Sequence, residues 1–164
     1  MSETLATEFL LECTRRGIMS ATAESCTGGL IIAALTDIAG SSVAVDRGFI
    51  TYSNEAKMEM LGVRKETLEA HGAVSQETAL EMAAGALSRS RAGIALAVTG
   101  IAGPGGGSEE KPVGLVWFGV AVEGHEPFAQ KHIFADLGRE HIRHQTVLTA
   151  LKLGIDALNQ ADAP

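Results

Sequence analysis

Along residues 4–16 the apolar positions Ala6, Phe9, Leu10 and Cys13 recur at the spacing of one helix face, and Gly17 stands where a left-handed cap would close the segment. An amphipathic helix is therefore expected from Thr4 to Arg16. Ile18 to Ala23 reads as a short strand entering Glu24-Ser25-Cys26-Thr27-Gly28-Gly29, and Leu30 to Ile38 is apolar almost all round, as a buried helix would be. Gly48 to Ser53 is rich in β-formers and leads into a short helix from Asn54 to Leu61 behind a Ser or Asn cap. Ser75 caps a further helix with the stripe Leu80, Ala83, Ala84 and Leu87, and Gly93 to Val98 follows as an aliphatic strand. Val113 to Val122 has the continuous apolar character of a strand covered on both faces, and Phe128 to Phe134 pairs beside it through a turn around Gly124. Leu148, Leu151, Ile155 and Leu158 mark a long terminal helix. Strands alternating with helices predict an α/β fold: a three-layer α/β/α sandwich around a largely parallel or mixed sheet. With no repeat, linker or low-complexity segment, residues 1–164 are expected to form a single domain.

Composition narrows the function classes. A chain of 164 residues that is 46% hydrophobic can build one substantial core, and with 4% aromatic residues and 19 glycines that core is aliphatic and the backbone turns tightly in several places. The net charge of -7 and the lack of any basic run argue against a nucleic-acid partner. The longest candidate apolar run, Leu30 to Leu35, falls far short of the roughly 20 residues a bilayer requires, so no membrane association is expected. The first residues, MSETLATEFL, carry acids where a secretory signal carries bases, which predicts a cytoplasmic protein. Cys13 and Cys26 have no CxxC spacing and are expected to be free thiols.

In open α/β sheets, ligands gather at the carboxyl ends of strands. Three segments meet that description: Ala23 to Gly29, Thr51 to Lys57, and the glycine-rich run from Thr99 through Gly100, Ala102, Gly103 and Gly105 to Ser108. In the first, the Ser25 hydroxyl precedes a helix, and the amides of Thr27, Gly28 and Gly29 are candidates to hold an oxyanion; Ser25 or Thr27 as a simple N-cap fits the same pattern. A serine needs a base to attack an amide. Histidines lie away from these segments, and Lys57 serves either as that base, its pKa lowered by apolar surroundings, or as an exposed helix residue. The glycine-rich run is either an anion cradle or a surface loop; it lacks the G-K-[ST] of a P-loop, and no G-x-G-x-x-G opens a helix. No HExxH, DxDxDG or paired histidine motif is present, so a metal-free site without a cofactor is expected.

Several blocks in order, Thr22-Ala23-Glu24-Ser25-Cys26-Thr27-Gly28-Gly29, Gly48-Phe49-Ile50-Thr51-Tyr52-Ser53-Asn54-Glu55-Ala56-Lys57, His71-Gly72-Ala73-Val74-Ser75, Gly100-Ile101-Ala102-Gly103-Pro104 and Lys111-Pro112-Val113-Gly114, resemble the signature of the CinA C-terminal domain family over nearly the whole chain. The resemblance implies conversion of nicotinamide mononucleotide and water to nicotinate mononucleotide and ammonia. It also implies Ser25 as nucleophile, Lys57 as its base, and Tyr52 orienting the lysine or relaying a proton. Glu24, Thr27, Gly28, Gly29, Thr99, Gly100, Ala102, Gly103 and Gly105 are the candidate substrate contacts. The ribose phosphate would fall to the glycine-rich loop or to Arg139 and Arg143, and the partner expected besides substrate is a second copy of the chain in a homodimer. Two rivals stand beside this reading: a Cys26 nucleophile with Glu24 and Lys57 supplying the charges, and a nucleotide-binding competence or damage-inducible module without catalysis.

Overall fold

The computed structural model describes residues 1–162. Helix α1 (Ser2–Arg16) ends on Gly17 at φ 67°, with Ile18 N–H returning to Cys13 O, the closure that a left-handed glycine permits. There follow β1 (Ser20–Glu24), α2 (Leu30–Thr36), β2 (Val45–Ile50), α3 (Asn54–Leu61), α4 (Lys65–His71), α5 (Gln76–Ser88), β3 (Ile94–Gly100), β4 (Leu115–Val122), β5 (Phe128–Ile133) and α6 (Arg139–Ala161). The strands form one sheet in the order β2-β1-β3-β4-β5. β1 is parallel to both β2 and β3, while β4 runs antiparallel to β3 and to β5, so the sheet is mixed.

Helices cover both faces, as the apolar character of the strands requires. On one face α1, α2 and α6 bury Phe9, Ile31, Leu35, Ile142 and Leu151 against Leu96, Val98 and Phe118. On the other, Leu61, Met82 and Ala83 meet a strand surface of small residues, Ala23, Ala95, Ala97 and Ala121. Small residues let α5 lie close: a Cβ on Gly119 would stand 2.3 Å from Ala79 O. The chain leaves β1 by α2 on one face, leaves β2 by α3 to α5 on the other, and re-enters the sheet at β3. The loop after β1 therefore opens beside the end of β3, where such sheets form their crevice.

Local differences from the expected elements have physical causes. α2 is not buried all round; only Ile31 and Leu35 are buried, and Leu30 and Ala33 face solvent, because one helix face suffices to cover the sheet. β2 lies earlier than Gly48–Ser53, since Ser53 is drawn off to cap α3, its Oγ accepting from Ala56 N–H at 3.0 Å. α4 carries only one buried residue, Thr67, and so leaves no apolar period to read. β1 contains three fully buried polar residues, each satisfied locally: Ser20 Oγ donates to Ala44 O at 2.7 Å, and Thr22 donates to Glu24.

Gly119→Ala is expected to lower the unfolding free energy by about 2 kcal/mol or more, because a backbone carbonyl rather than a flexible side chain occupies the space. Gly105→Ala, with nothing within 4 Å of the added carbon, should shift it by less than about 0.5 kcal/mol. Urea denaturation of both variants measures the contrast.

Candidate active site

β1 delivers Ser25 one residue past its end, and Ser25 N–H donates to Val98 O at 3.1 Å, tying the loop to β3. Lys57 comes from α3, with its side chain turned inward and 1% exposed. Its Nζ donates to Ser25 Oγ at 3.0 Å, to Thr51 O at 2.8 Å and to Tyr52 O at 3.2 Å. No carboxylate is among these partners, and burial lowers the pKa of Lys57 to about 8. The three acceptors match the three hydrogens of an ammonium. Once a proton is lost, the two carbonyls can still only accept, so the two remaining N–H groups stay with them and the lone pair faces Ser25 Oγ. The arrangement thus holds a neutral amine in the orientation of a base for the serine.

Ser25, Cys26 and Lys57 form one side of a cavity of about 200 Å³. Thr99, Gly100 and Ala102 line it from the end of β3, Ala73 and Val74 from the loop before α5, and the exposed Tyr52 and Arg139 complete it. Thr99 Oγ1 donates to Ala73 O at 2.8 Å and so fastens that loop over the pocket. Tyr52 meets the site differently from expectation. Its hydroxyl faces Arg139 Nη2 at 3.2 Å, and its main-chain carbonyl, not its ring, orients Lys57. Arg139 Nη1 also donates to Gly103 O at 2.7 Å, linking α6 to the glycine-rich loop.

Other expected substrate contacts have structural work instead. Glu24 is fully buried, and each carboxylate oxygen takes one hydroxyl and one amide: Oε1 accepts from Thr27 Oγ1 at 2.7 Å and Ile31 N at 2.9 Å, Oε2 from Thr22 Oγ1 at 3.0 Å and Ile32 N at 2.9 Å. It caps α2 and is not among the residues that line the cavity. Thr27 is wholly buried with its hydroxyl on Glu24, and Gly28 spends its N–H on Ser25 O at 3.1 Å, which removes that amide as an oxyanion donor. Gly28, Gly29, Gly103 and Gly105 do not line the cavity; Gly28, Gly29 and Gly103 instead supply backbone at φ 59°, 109° and 79°. Cys26 reaches the cavity wall, but burial pushes its thiol up to about 11, so it is no thiolate near neutral pH. Ala73 and Val74 stand in the motif block His71 to Ser75 but were not assigned to the site, because an apolar pair ahead of a helix cap carries no reactive group.

Arg143 lies one turn beyond Arg139 and holds the loop after β1, Nε donating to Cys26 O and Nη2 to Thr27 O, both at 3.0 Å. A larger groove of about 680 Å³ runs between α2 and α6 past Leu30, Ala33, Arg139, Arg143 and His144. Among the described residues no group of three or more His, Cys, Asp or Glu side chains could hold a metal ion, and no helix is long and apolar enough to cross a membrane.

The chain matches the CinA C-terminal domain family over residues 2–158. It is 53% identical over 137 residues to nicotinamide-nucleotide amidohydrolase PncC of Escherichia coli strain K12, a match spanning 84% of this chain and 82% of that protein. A CinA-like protein of Chloroherpeton thalassium is 62% identical over 122 residues, which are 73% of this chain and 29% of that longer protein. Among solved structures, competence/damage inducible protein CihA from Agrobacterium tumefaciens superposes with a TM-score of 0.93 at 57% identity, covering 96% of this chain and 95% of that one. A CinA superfamily protein from Klebsiella pneumoniae gives a TM-score of 0.92 at 38% identity, covering 98% and 99%.

Glu24→Gln tests the capping role. A carboxamide nitrogen, whichever way it is turned, would face the N–H of Ile31 or Ile32, and the clash of donors should lower the unfolding free energy by about 1–3 kcal/mol in urea melts.

Proposed function

The chain belongs to the CinA C-terminal domain family, and we propose that it hydrolyses the carboxamide of nicotinamide mononucleotide, with Ser25 as nucleophile and Lys57 as base. The observation that carries this reading is the 3.0 Å contact between the buried, uncompensated Lys57 amine and Ser25 Oγ. The E. coli relative's name supplies the substrate.

In the proposed cycle, Ser25 Oγ bonds the carboxamide carbon while its proton passes to Lys57 Nζ. The carbonyl oxygen becomes an oxyanion held by backbone N–H of the Ser25 loop, each well-placed donor being worth about 3 kcal/mol. The Lys57 ammonium then returns its proton to the nitrogen, the C–N bond breaks, and ammonia leaves an acyl-serine. Water attacks the ester carbonyl as Lys57 takes its proton, and collapse restores the serine hydroxyl and frees the nicotinate carboxylate. A lysine held near pKa 8 suits both halves, because it must accept and release a proton within one turnover.

The cavity of about 200 Å³ suits the pyridine carboxamide. The ribose phosphate would extend outward past Tyr52 to the Arg139 guanidinium and the glycine-rich loop, which Arg139 already bridges through Gly103 O. The high pKa of Cys26 speaks against the thiol rival.

Purified, EDTA-treated protein incubated with nicotinamide mononucleotide should release ammonia and nicotinate mononucleotide in equal amounts; a protein that binds the nucleotide yet releases neither is a binding module, and the reading is lost. Ser25→Ala and Lys57→Met should each lower kcat by about a thousandfold or more. Lys57→Met should melt no lower than wild type at neutral pH, since it removes a buried amine that has no counter-charge. Because the folded lysine titrates near 8, the active neutral form grows as pH rises, so kcat/KM should climb through about pH 8 and level above it.

A further inference from the structure

We propose that Arg143 is a positioning residue for the nucleophile loop: by gripping two successive carbonyls, it fixes the turn that sets Ser25 Oγ against Lys57. The proposal rests on the serine-hydrolase reading above and deepens it.

Ser25 to Gly28 form a turn closed by Gly28 N–H on Ser25 O at 3.1 Å, and the peptide between Cys26 and Thr27 is its central unit. Thr27, at the third position, keeps a negative φ, so the backbone itself sets which way the central peptide faces. What Arg143 adds is a tie between this turn and α6. Its Nε donates to Cys26 O at 3.0 Å, on the central peptide itself, and its Nη2 donates to Thr27 O at 3.0 Å on the next. The planar guanidinium holds the two carbonyls as a pair, which a point charge cannot do.

Arg143 is absent from the wall of the cavity that Arg139 lines, so the two arginines of one helix face divide the work, Arg139 at the cavity and Arg143 behind the loop.

The test uses a reagent that does not depend on the substrate assignment. A fluorophosphonate ester bonds Ser25 Oγ through phosphorus, fluoride leaves, the serine proton passes to Lys57, and the phosphoryl oxygen takes the oxyanion's place. Wild type should label at Ser25. Arg143→Ala, and Arg143→Lys where the alanine variant does not fold, should label at least about tenfold more slowly while keeping the wild-type circular dichroism, and added methylguanidine should restore part of the rate in Arg143→Ala. Turnover should lose the same factor in kcat, with KM little changed, on nicotinamide mononucleotide and on its dephosphorylated riboside. Labelling of a folded variant at the wild-type rate overturns the proposal, as does an unlabelled wild type. A loss confined to KM for the phosphorylated substrate also overturns it, making Arg143 a phosphate ligand. A wild type that labels at Ser25 but does not turn over the nucleotide removes the substrate reading alone, and the labelling rates still decide the role of Arg143.

Discussion

The site depends on one amine buried without a counter-charge. Lys57 is enclosed where an ammonium is disfavoured, and its partners are two carbonyls and a hydroxyl, none of which stabilises the charged form as a carboxylate would. An acid within reach of Nζ would stabilise the ammonium and restore the ordinary pKa. Glu24, adjacent to Ser25 in sequence, is the obvious threat, and the fold withdraws it: four donors fill both its oxygens and commit it to the start of α2. Its buried charge is met by hydroxyls and amides rather than by the lysine.

Holding that amine in place draws on several parts of the chain. Ser53 caps α3 and fixes the turn from which Lys57 reaches inward, and Thr51 N–H on Glu24 O at 2.8 Å keeps the end of β2 against the end of β1. The small-residue face of the sheet lets α5 settle closely. That places the preceding loop over the cavity, where Gly72 O accepts from Thr78 Oγ1 at 2.8 Å and Ala73 O accepts from Thr99. From the other face, α6 reaches across the sheet edge with Arg139 and Arg143 and ties together loops that follow β1, β2 and β3. The crevice is therefore closed by contacts from both helical layers.

Much of this was legible from residue order. Period and capping residues marked α1, α3, α5 and α6, because Gly17 and Ser75 act within a few residues of themselves and Phe9 or Leu151 announces a face by repetition. Motif blocks marked Ser25, Lys57 and Tyr52, and the structure brings these three to one cavity with Thr99, Gly100, Ala102 and Arg139. The continuous apolar character of Val113 to Val122 pointed to a sheet covered on both faces, as the two helical layers show.

What only the tertiary structure decided was which polar group faces which. Glu24 and Tyr52 carry the same side chains whichever neighbour they meet, and the partners were chosen by α2 amides in one case and by Arg139 in the other. Arg143 grips a loop 117 residues earlier in the chain, a distance over which no local period carries information. Sequence determines backbone preference and the tally of apolar surface because both act over a few residues. Hydrogen-bond partnership and the desolvation that sets a pKa arise from groups far apart in the chain, and they exist only once packing has brought those groups together.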